Sequence, residues 1–341
     1  MNWRSVIHGS SAAALALALL SACNTARTLP LGQAEGERVS ASGLPIAPNP
    51  RNERRLLFIS DGSFAGISVY TLPDLKFKGH IYDRSVSQGG LCTDPDGSIW
   101  SADVYSVSHY SRTGAPLKTV TLPKNAFPRS CAFDRTTDTL AVTAVWQNPE
   151  RPGSVLLYKR GEGIPRLLRG GHLIEHDFDA YDPAGDLFVD GLDRTGNFAL
   201  AECPAHSQTC RAIALQVHYF YGPLPGSIAW YSRGNYLALT RGSIVYWVRI
   251  SKSVGAVVGY TLLEDHRGTP QYGPSQLVFA GPGERYILGG WTEHLGAACV
   301  GKDHQRKKDS VDRWSFPSGL KPLGYTIGVC GPFGAAVSPA N

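Results

Sequence analysis

An all-β, six-bladed β-propeller with four antiparallel strands per blade is the fold this sequence predicts, on three observations. A strand-turn-strand pattern returns six times at a spacing of about 40–50 residues, the period range of arrays and propellers. Two more strand candidates follow each copy. The first copy lacks its opening strand, and a matching strand stands at the C-terminus instead.

The clearest copy reads Gly90-Leu91-Cys92-Thr93-Asp94-Pro95-Asp96-Gly97-Ser98-Ile99-Trp100. A second holds Cys131-Ala132-Phe133-Asp134, a turn at Thr136-Thr137-Asp138, then Leu140-Ala141-Val142-Thr143; a third runs from Phe178 through Pro183 and Gly185 to Asp190. Apolar runs joined through Asp, Pro and Gly are hairpins, because those residues supply the special turn conformations. Third strands are expected at 66–72, 106–111, 154–159, 197–202, 243–250 and 310–316. Fourth strands are expected at 76–82, 116–122, 165–168, 210–215, 256–262 and 320–327. Residues 56–61 match a second strand with no first strand before it, and 333–338 match the missing one. Closing the ring with the C-terminal strand removes an unpaired edge, whereas a linear solenoid would need polar caps.

Composition fits one such body at 53–341. With 43% hydrophobic and 18% charged residues the chain has core-forming material and no disorder signature. The 38 Gly and 23 Pro supply the many turns. A formal charge of +5 with no dense basic stripe argues against nucleic acid as a partner.

The N-terminus reads as an export signal. Residues 1–22 carry one cation, Arg4, then an apolar run at 11–20 that is too short to span a bilayer as a mature helix. It ends in Leu20-Ser21-Ala22-Cys23, which resembles a bacterial lipobox. Cys23 is then the acylated residue, and residues 23–52, with Pro30, Pro45, Pro48 and Pro50, form a tether. The expected place is the bacterial envelope, lipid-anchored. Asn24 after the cysteine points to the outer membrane facing the periplasm, by resemblance to lipoprotein sorting.

Export permits disulfides. Cys203 and Cys210 flank a strand-joining turn and are expected to pair; Cys299 and Cys330 are a second expected pair, stapling the insertion 290–309 to the closing strand. Cys92 and Cys131 occupy non-equivalent positions on neighbouring inner strands and are expected as buried free thiols. No CxxC pair points to zinc.

The Gly90–Trp100 and Ala132–Thr143 motifs resemble NHL-type propeller repeats, the six-bladed scaffold of virginiamycin B lyases and SMP-30/gluconolactonase enzymes. The likeness spans about residues 56–340 and lies in strand and turn patterns, which leave the chemistry open. It implies a ligand face built from the loops between blades and between second and third strands. Gln88, Arg129, His176 and Gln276 are expected nearest the axis there, with Tyr105, Tyr221, Tyr272 and Trp291 at the rim, a set suited to a small polar ligand. SMP-30-like lactonases hold a divalent metal through Glu, Asn and Asp, and virginiamycin B lyases use His and Glu with magnesium. The inner positions read here as Gln, Arg, His and Gln rather than carboxylates.

His172-Leu173-Ile174-Glu175-His176 spells H-x-x-E-H, which needs a helix to aim both histidines at zinc. It falls in a loop leading into a strand. His172, Glu175, His176 and Asp177 remain as ligands for a divalent cation in an alternative enzyme reading. The knot Lys302, His304, Arg306, Lys307 and Lys308 reads as a solvated loop, or else as an anion contact.

The expected protein is therefore a non-catalytic, envelope-anchored scaffold without a cofactor that binds a small polar ligand or a protein partner. The alternative is a metal-assisted lyase or lactonase at the channel mouth. If Cys23 is acylated, Cys23→Ser releases the chain from membranes and abolishes labelling by a fatty-acid probe. Membrane retention unchanged by the substitution, with no label in the parent, rejects the anchor.

Overall fold

The computed structural model describes residues 55–61, 66–83, 89–146, 152–216, 226–268, 275–291, 309–327, 329 and 331–339. All belong to one compact unit, Ala41–Asn341. Cys23 and the leader, Gln88, Tyr221, Tyr272, Cys299, Cys330 and the basic knot 302–308 lie outside the described residues.

Strands and turns make up this body. In chain order the strands are β1 (Leu56–Asp61), β2 (Gly66–Thr71), β3 (Lys76–Tyr82), β4 (Leu91–Thr93), β5 (Ile99–Ala102), β6 (Val107–Tyr110), β7 (Pro116–Val120) and β8 (Ala126–Asp134). Next come β9 (Thr139–Trp146), β10 (Ser154–Lys159), β11 (Glu162–Gly170), β12 (Leu173–Tyr181), β13 (Leu187–Asp193), β14 (Phe198–Cys203), β15 (Thr209–Leu215) and β16 (Ile228–Tyr231). The last are β17 (Tyr236–Arg241), β18 (Ile244–Ser251), β19 (Val254–Leu262), β20 (Leu277–Ala280), β21 (Tyr286–Trp291), β22 (Ser310–Ser315), β23 (Gly324–Ile327) and β24 (Ala335–Val337). Pro282–Glu284 is a short 3-10 turn.

Antiparallel pairing arranges them in runs of four. β4 to β7 and β20 to β23 are separate sheets, and β24 joins the free edge of β1 beside β2 and β3. The C-terminal strand thus pairs with the first, Leu57 opposite Val337 and Ile59 opposite Ala335. The remaining three runs, β8–β11, β12–β15 and β16–β19, merge into one twelve-stranded sheet instead of three separate ones. Their fourth strands touch in parallel over two residues each: Arg169 and Gly170 against Thr209 and Cys210, then Ala214 and Leu215 against Val254 and Gly255. Gly170 makes the first contact feasible, because at φ +112° a side chain is strained and its Cβ would lie 2.6 Å from the Cys210 carbonyl oxygen.

The core lies between the runs. Buried apolar residues form clusters that each fill a seam. Phe58, Ile67 and Val69 of the first run meet Leu91, Ile99 and Tyr110 of the second. Trp100 and Val107 meet Leu140, Leu156 and Tyr158 of the third. Leu57 and Ile59 close against Leu288 and Val311 of the last run. A strand covered on both faces loses the polar-apolar alternation, which is why β1 and β2 are buried at every residue.

Cys203 and Cys210 are disulfide-bonded across the β14–β15 turn, as expected. Cys92 and Cys131 are not free thiols: they form a second disulfide, with Cα atoms 5.6 Å apart. The error lay in reading positional equivalence as proximity. The Gly90 N–H donates to the Arg129 carbonyl at 2.8 Å, so β4 and β8 are set side by side with residue n facing n + 39. That stagger puts the two sulfurs together. Closing a loop of this length restricts the unfolded chain by up to about 4 kcal/mol. Replacing both cysteines by Ala is expected to lower the unfolding free energy by about 2–4 kcal/mol in chemical denaturation. A non-reduced peptide map of the parent should join Cys92 to Cys131; two alkylatable thiols there would refute the bond.

Candidate functional site

The inner ends of the runs are built on one repeated hydrogen bond. In four runs the first strand carries, at one shared register position, a backbone N–H taken by a side chain of the second strand. Ser60 Oγ accepts it from Gly334 at 2.5 Å, Thr143 Oγ1 from Ser130 at 3.0 Å, and Thr240 Oγ1 from Ser227 at 2.7 Å. In the β12 run the acceptor is a carboxyl: Asp190 Oδ1 takes the Phe178 N–H at 2.8 Å. By strand register the corresponding positions in the other two runs are Ala102 and Gly290.

The same register exposes a second departure. Asp179 stands where the other runs have Ala335, Leu91, Cys131, Ile228 and Leu277, all buried and apolar. Asp177 is two residues before it. Because His176 pairs with Gly191 and Asp179 with Val189, both Asp177 and Phe178 oppose the single residue Asp190. This is a bulge, a device that re-aims side chains. Three carboxyls therefore gather at the inner end of β12 and β13, correcting the expectation that the inner strands carry none.

Burial keeps these acids from ionising at their ordinary values. It pushes Asp179 up to about 8, and neither of its carboxyl oxygens has a hydrogen-bond partner among the described residues. Asp177 is pushed up to about 6, with Arg129 opposing and Glu175 assisting. Asp190, fully buried, is raised well above the usual range, and the charges of Asp177 and Asp179 raise it further. Arg129 Nε lies 3.8 Å from Asp177 Oδ1. His176 is 1% exposed, and neither ring nitrogen has a hydrogen-bond partner among the described residues. Desolvation lowers it to about 4, so it is neutral at physiological pH. A Cβ at Gly153 would fall 2.5 Å from His176 Nδ1, so glycine there leaves room for the ring.

The other expected site residues separate. Gln276 is buried, and its amide is taken up by backbone: Oε1 accepts from Leu91 at 2.9 Å and Ala335 at 2.8 Å, while Nε2 donates to the Leu91 carbonyl at 3.0 Å. Tyr105, 75% exposed in the β5–β6 turn, packs against Phe127. Trp291 ends β21, where its backbone pairs with Ser310. His172 sits in a left-handed turn conformation before β12 and is exposed, whereas His176 is inside. On a strand the H-x-x-E-H spacing does not bring His172, Glu175, His176 and Asp177 to one point, and among the described residues no three His, Cys, Asp or Glu side chains form a metal-holding group. Ser98, His109 and Asp94 also meet, but Ser98 Oγ and Asp94 Oδ2 both approach the same ring nitrogen, at 2.7 and 3.2 Å. A hydrolytic triad needs the acid on the other nitrogen, and Ser98 is buried. With Trp100 stacked on His109 at 3.7 Å, this knot locks the β4–β5 turn.

One open groove of about 590 Å³ lies on the face expected to hold ligand, between the β11–β12 connection and the β13–β14 turn. Leu173, Ile174 and Pro152 give it an apolar lining; Arg169, His172, Arg194, Asp193 and Thr195 supply its polar groups. Sequence reasoning singled out His172 here and missed the two arginines. The signal was Arg169-Gly170-Gly171-His172 beside the turn Asp193-Arg194-Thr195-Gly196, two sharp turns each carrying an arginine.

A raised carboxyl stabilises the fold while protonated, and that contribution is lost as pH rises from its ordinary value, 3.8, through about 8 for Asp179. Asp179→Asn removes the loss. The variant is expected to gain at least about 1 kcal/mol on the parent between pH 5.5 and 8.5 in denaturant titrations. Comparing the two chains isolates Asp179 from Asp103 and Asp312, which burial raises to about 6 and about 7. A pH-independent difference would rule out the raised value.

No protein-family model matches this chain, and no curated protein matches it in sequence. Its structure is similar to a chain in the crystal structure of a nidogen/laminin complex, which contains a β-propeller. The TM-score is 0.61 at 16% identity, covering 84% of this chain and 98% of that one. It is also similar to a protein of unknown function from Bacteroides caccae, with a TM-score of 0.62 at 11% identity over 84% of this chain and 100% of that one. At such identities the likeness carries the fold alone: an all-β, propeller-like body.

Proposed function

We propose that this protein is an exported lipoprotein, anchored through Cys23 to the outer membrane of a bacterial envelope, whose six-bladed NHL-type propeller binds a small polar ligand or a protein partner without catalysing a reaction. Six blades are supported by the runs of four strands, by the apolar clusters in the seams and by β24 pairing with β1. Export is supported by the lipobox-like Leu20-Ser21-Ala22-Cys23 and agrees with two disulfides in the body. The observation that carries binding is the groove beside β12, where two arginines and a histidine border an apolar lining on the face where propellers gather their loops.

A metal-assisted lyase or lactonase is the second reading, favoured by the inner carboxyls Asp177, Asp179 and Asp190. The burial of Asp179 and Asp190 weighs against it, because a carboxyl held neutral is a poor ligand for a cation. Elemental analysis of the full chain, purified in detergent, separates the two. Less than a tenth of an equivalent of divalent metal per chain is the expected result. One equivalent, lost on His176→Ala, would overturn the binding-scaffold reading.

A further inference from the structure

The groove beside β12 has a chemistry of its own. Its two cationic side chains come from different connections, Arg169 before β12 and Arg194 after β13, and face one concavity. Neither guanidinium has a carboxylate or carbonyl partner among the described residues. Nearby arginines are engaged: Arg211 holds Glu202 at 2.8 Å, and Arg166 donates to the Ser207 carbonyl at 2.7 Å. The one carboxylate in the lining, Asp193, is turned into its own turn. Its Oδ1 accepts from the Thr195 N–H at 2.8 Å, the Thr195 hydroxyl at 2.6 Å and the Asn197 N–H at 3.0 Å.

Both walls are sharp turns. Gly170, Gly171 and His172 hold three successive positive φ angles, +112°, +70° and +63°. The opposite turn is closed by the Gly196 N–H on the Asp193 carbonyl at 2.9 Å. Between them Leu173, buried, and Ile174 present hydrocarbon.

From this arrangement we infer that the groove binds a ligand with an oxyanion group, phosphate or carboxylate, carried on an apolar body. Arg169 and Arg194 clamp the oxyanion, and the body lies on Ile174, Leu173 and Pro152. Paired guanidiniums suit such a group because their N–H forks match its oxygens and keep their charge at any physiological pH. This inference rests on the binding-scaffold reading and names its ligand class.

Calorimetric titration of the full chain in detergent at low salt, with phenyl phosphate, benzoate, inorganic phosphate and phenol, tests it. Saturable binding of phenyl phosphate or benzoate is expected, and whichever binds tighter names the head group. Arg169→Gln with Arg194→Gln should weaken it at least tenfold with melting unchanged, since both side chains are exposed. Ile174→Ser should weaken it about threefold and leave inorganic phosphate unaffected. The inference is overturned if neither aromatic anion binds, if the double variant binds within twofold of the parent, or if phenol binds as tightly as the anions. Inorganic phosphate binding as tightly as phenyl phosphate would overturn the apolar half. Failure of these titrations in a metal-free protein leaves the scaffold reading standing, whereas a stoichiometric metal rejects that reading whatever the titrations give.

Discussion

The inner ends of the runs depend on satisfying buried backbone N–H groups where the first strands crowd together. An unmet donor there costs about 1–3 kcal/mol, and no solvent reaches it. A hydroxyl on the second strand is the local answer in three runs, Ser60, Thr143 and Thr240. Where Ala102 stands, the Gly90 N–H turns to the Arg129 carbonyl of the next run, which also fixes the stagger that joins Cys92 to Cys131. Gln276 extends the same logic across β20, β4 and β24, tying the strand that completes the first sheet to two other runs with one amide.

The β12 run uses this scheme in a different way. Asp190 supplies the acceptor but brings a second oxygen that has no partner among the described residues. Asp179 adds another carboxyl where its counterparts are apolar. Burial disfavours the charge on each, so this run loses stability as pH rises in return for a polar interior. The bulge that accommodates them changes the course of β12 just after Leu173 and Ile174 leave the groove. Buried acids and groove thus share one strand, and its backbone is the physical link between them.

Much of the strand plan was legible in the residues because turn chemistry and apolar runs are local signals. β3 and β10 fall at the expected bounds, and β24 pairs where the missing strand was sought. The candidate site was less legible. Gln276 looked like a ligand contact because a polar residue near an axis has two possible employers, solvent or backbone, and only the fold reveals which. Asp179 and Asp190 were visible letters, yet their meaning needed register: placed against Ala335, Leu91 and Ile228 they are anomalies, whereas in a single copy they read as turn-flanking acids. Arg169 and Arg194 are 25 positions apart in the chain. No local pattern joins them, since it is the packing of two connections that makes their groove.

The pairing of β24 with β1 has a consequence for how the chain is threaded. Leu56 and Ser338 exchange hydrogen bonds, the Leu56 N–H to Ser338 Oγ and the Ser338 N–H to the Leu56 carbonyl, each at 2.9 Å. The polypeptide therefore enters and leaves the described body at the same spot. Beginning and end are interchangeable labels in such a body: a chain opened at an exposed turn and rejoined here would meet every partner it has now. The order in which the runs follow one another along the chain is therefore not what their packing depends on.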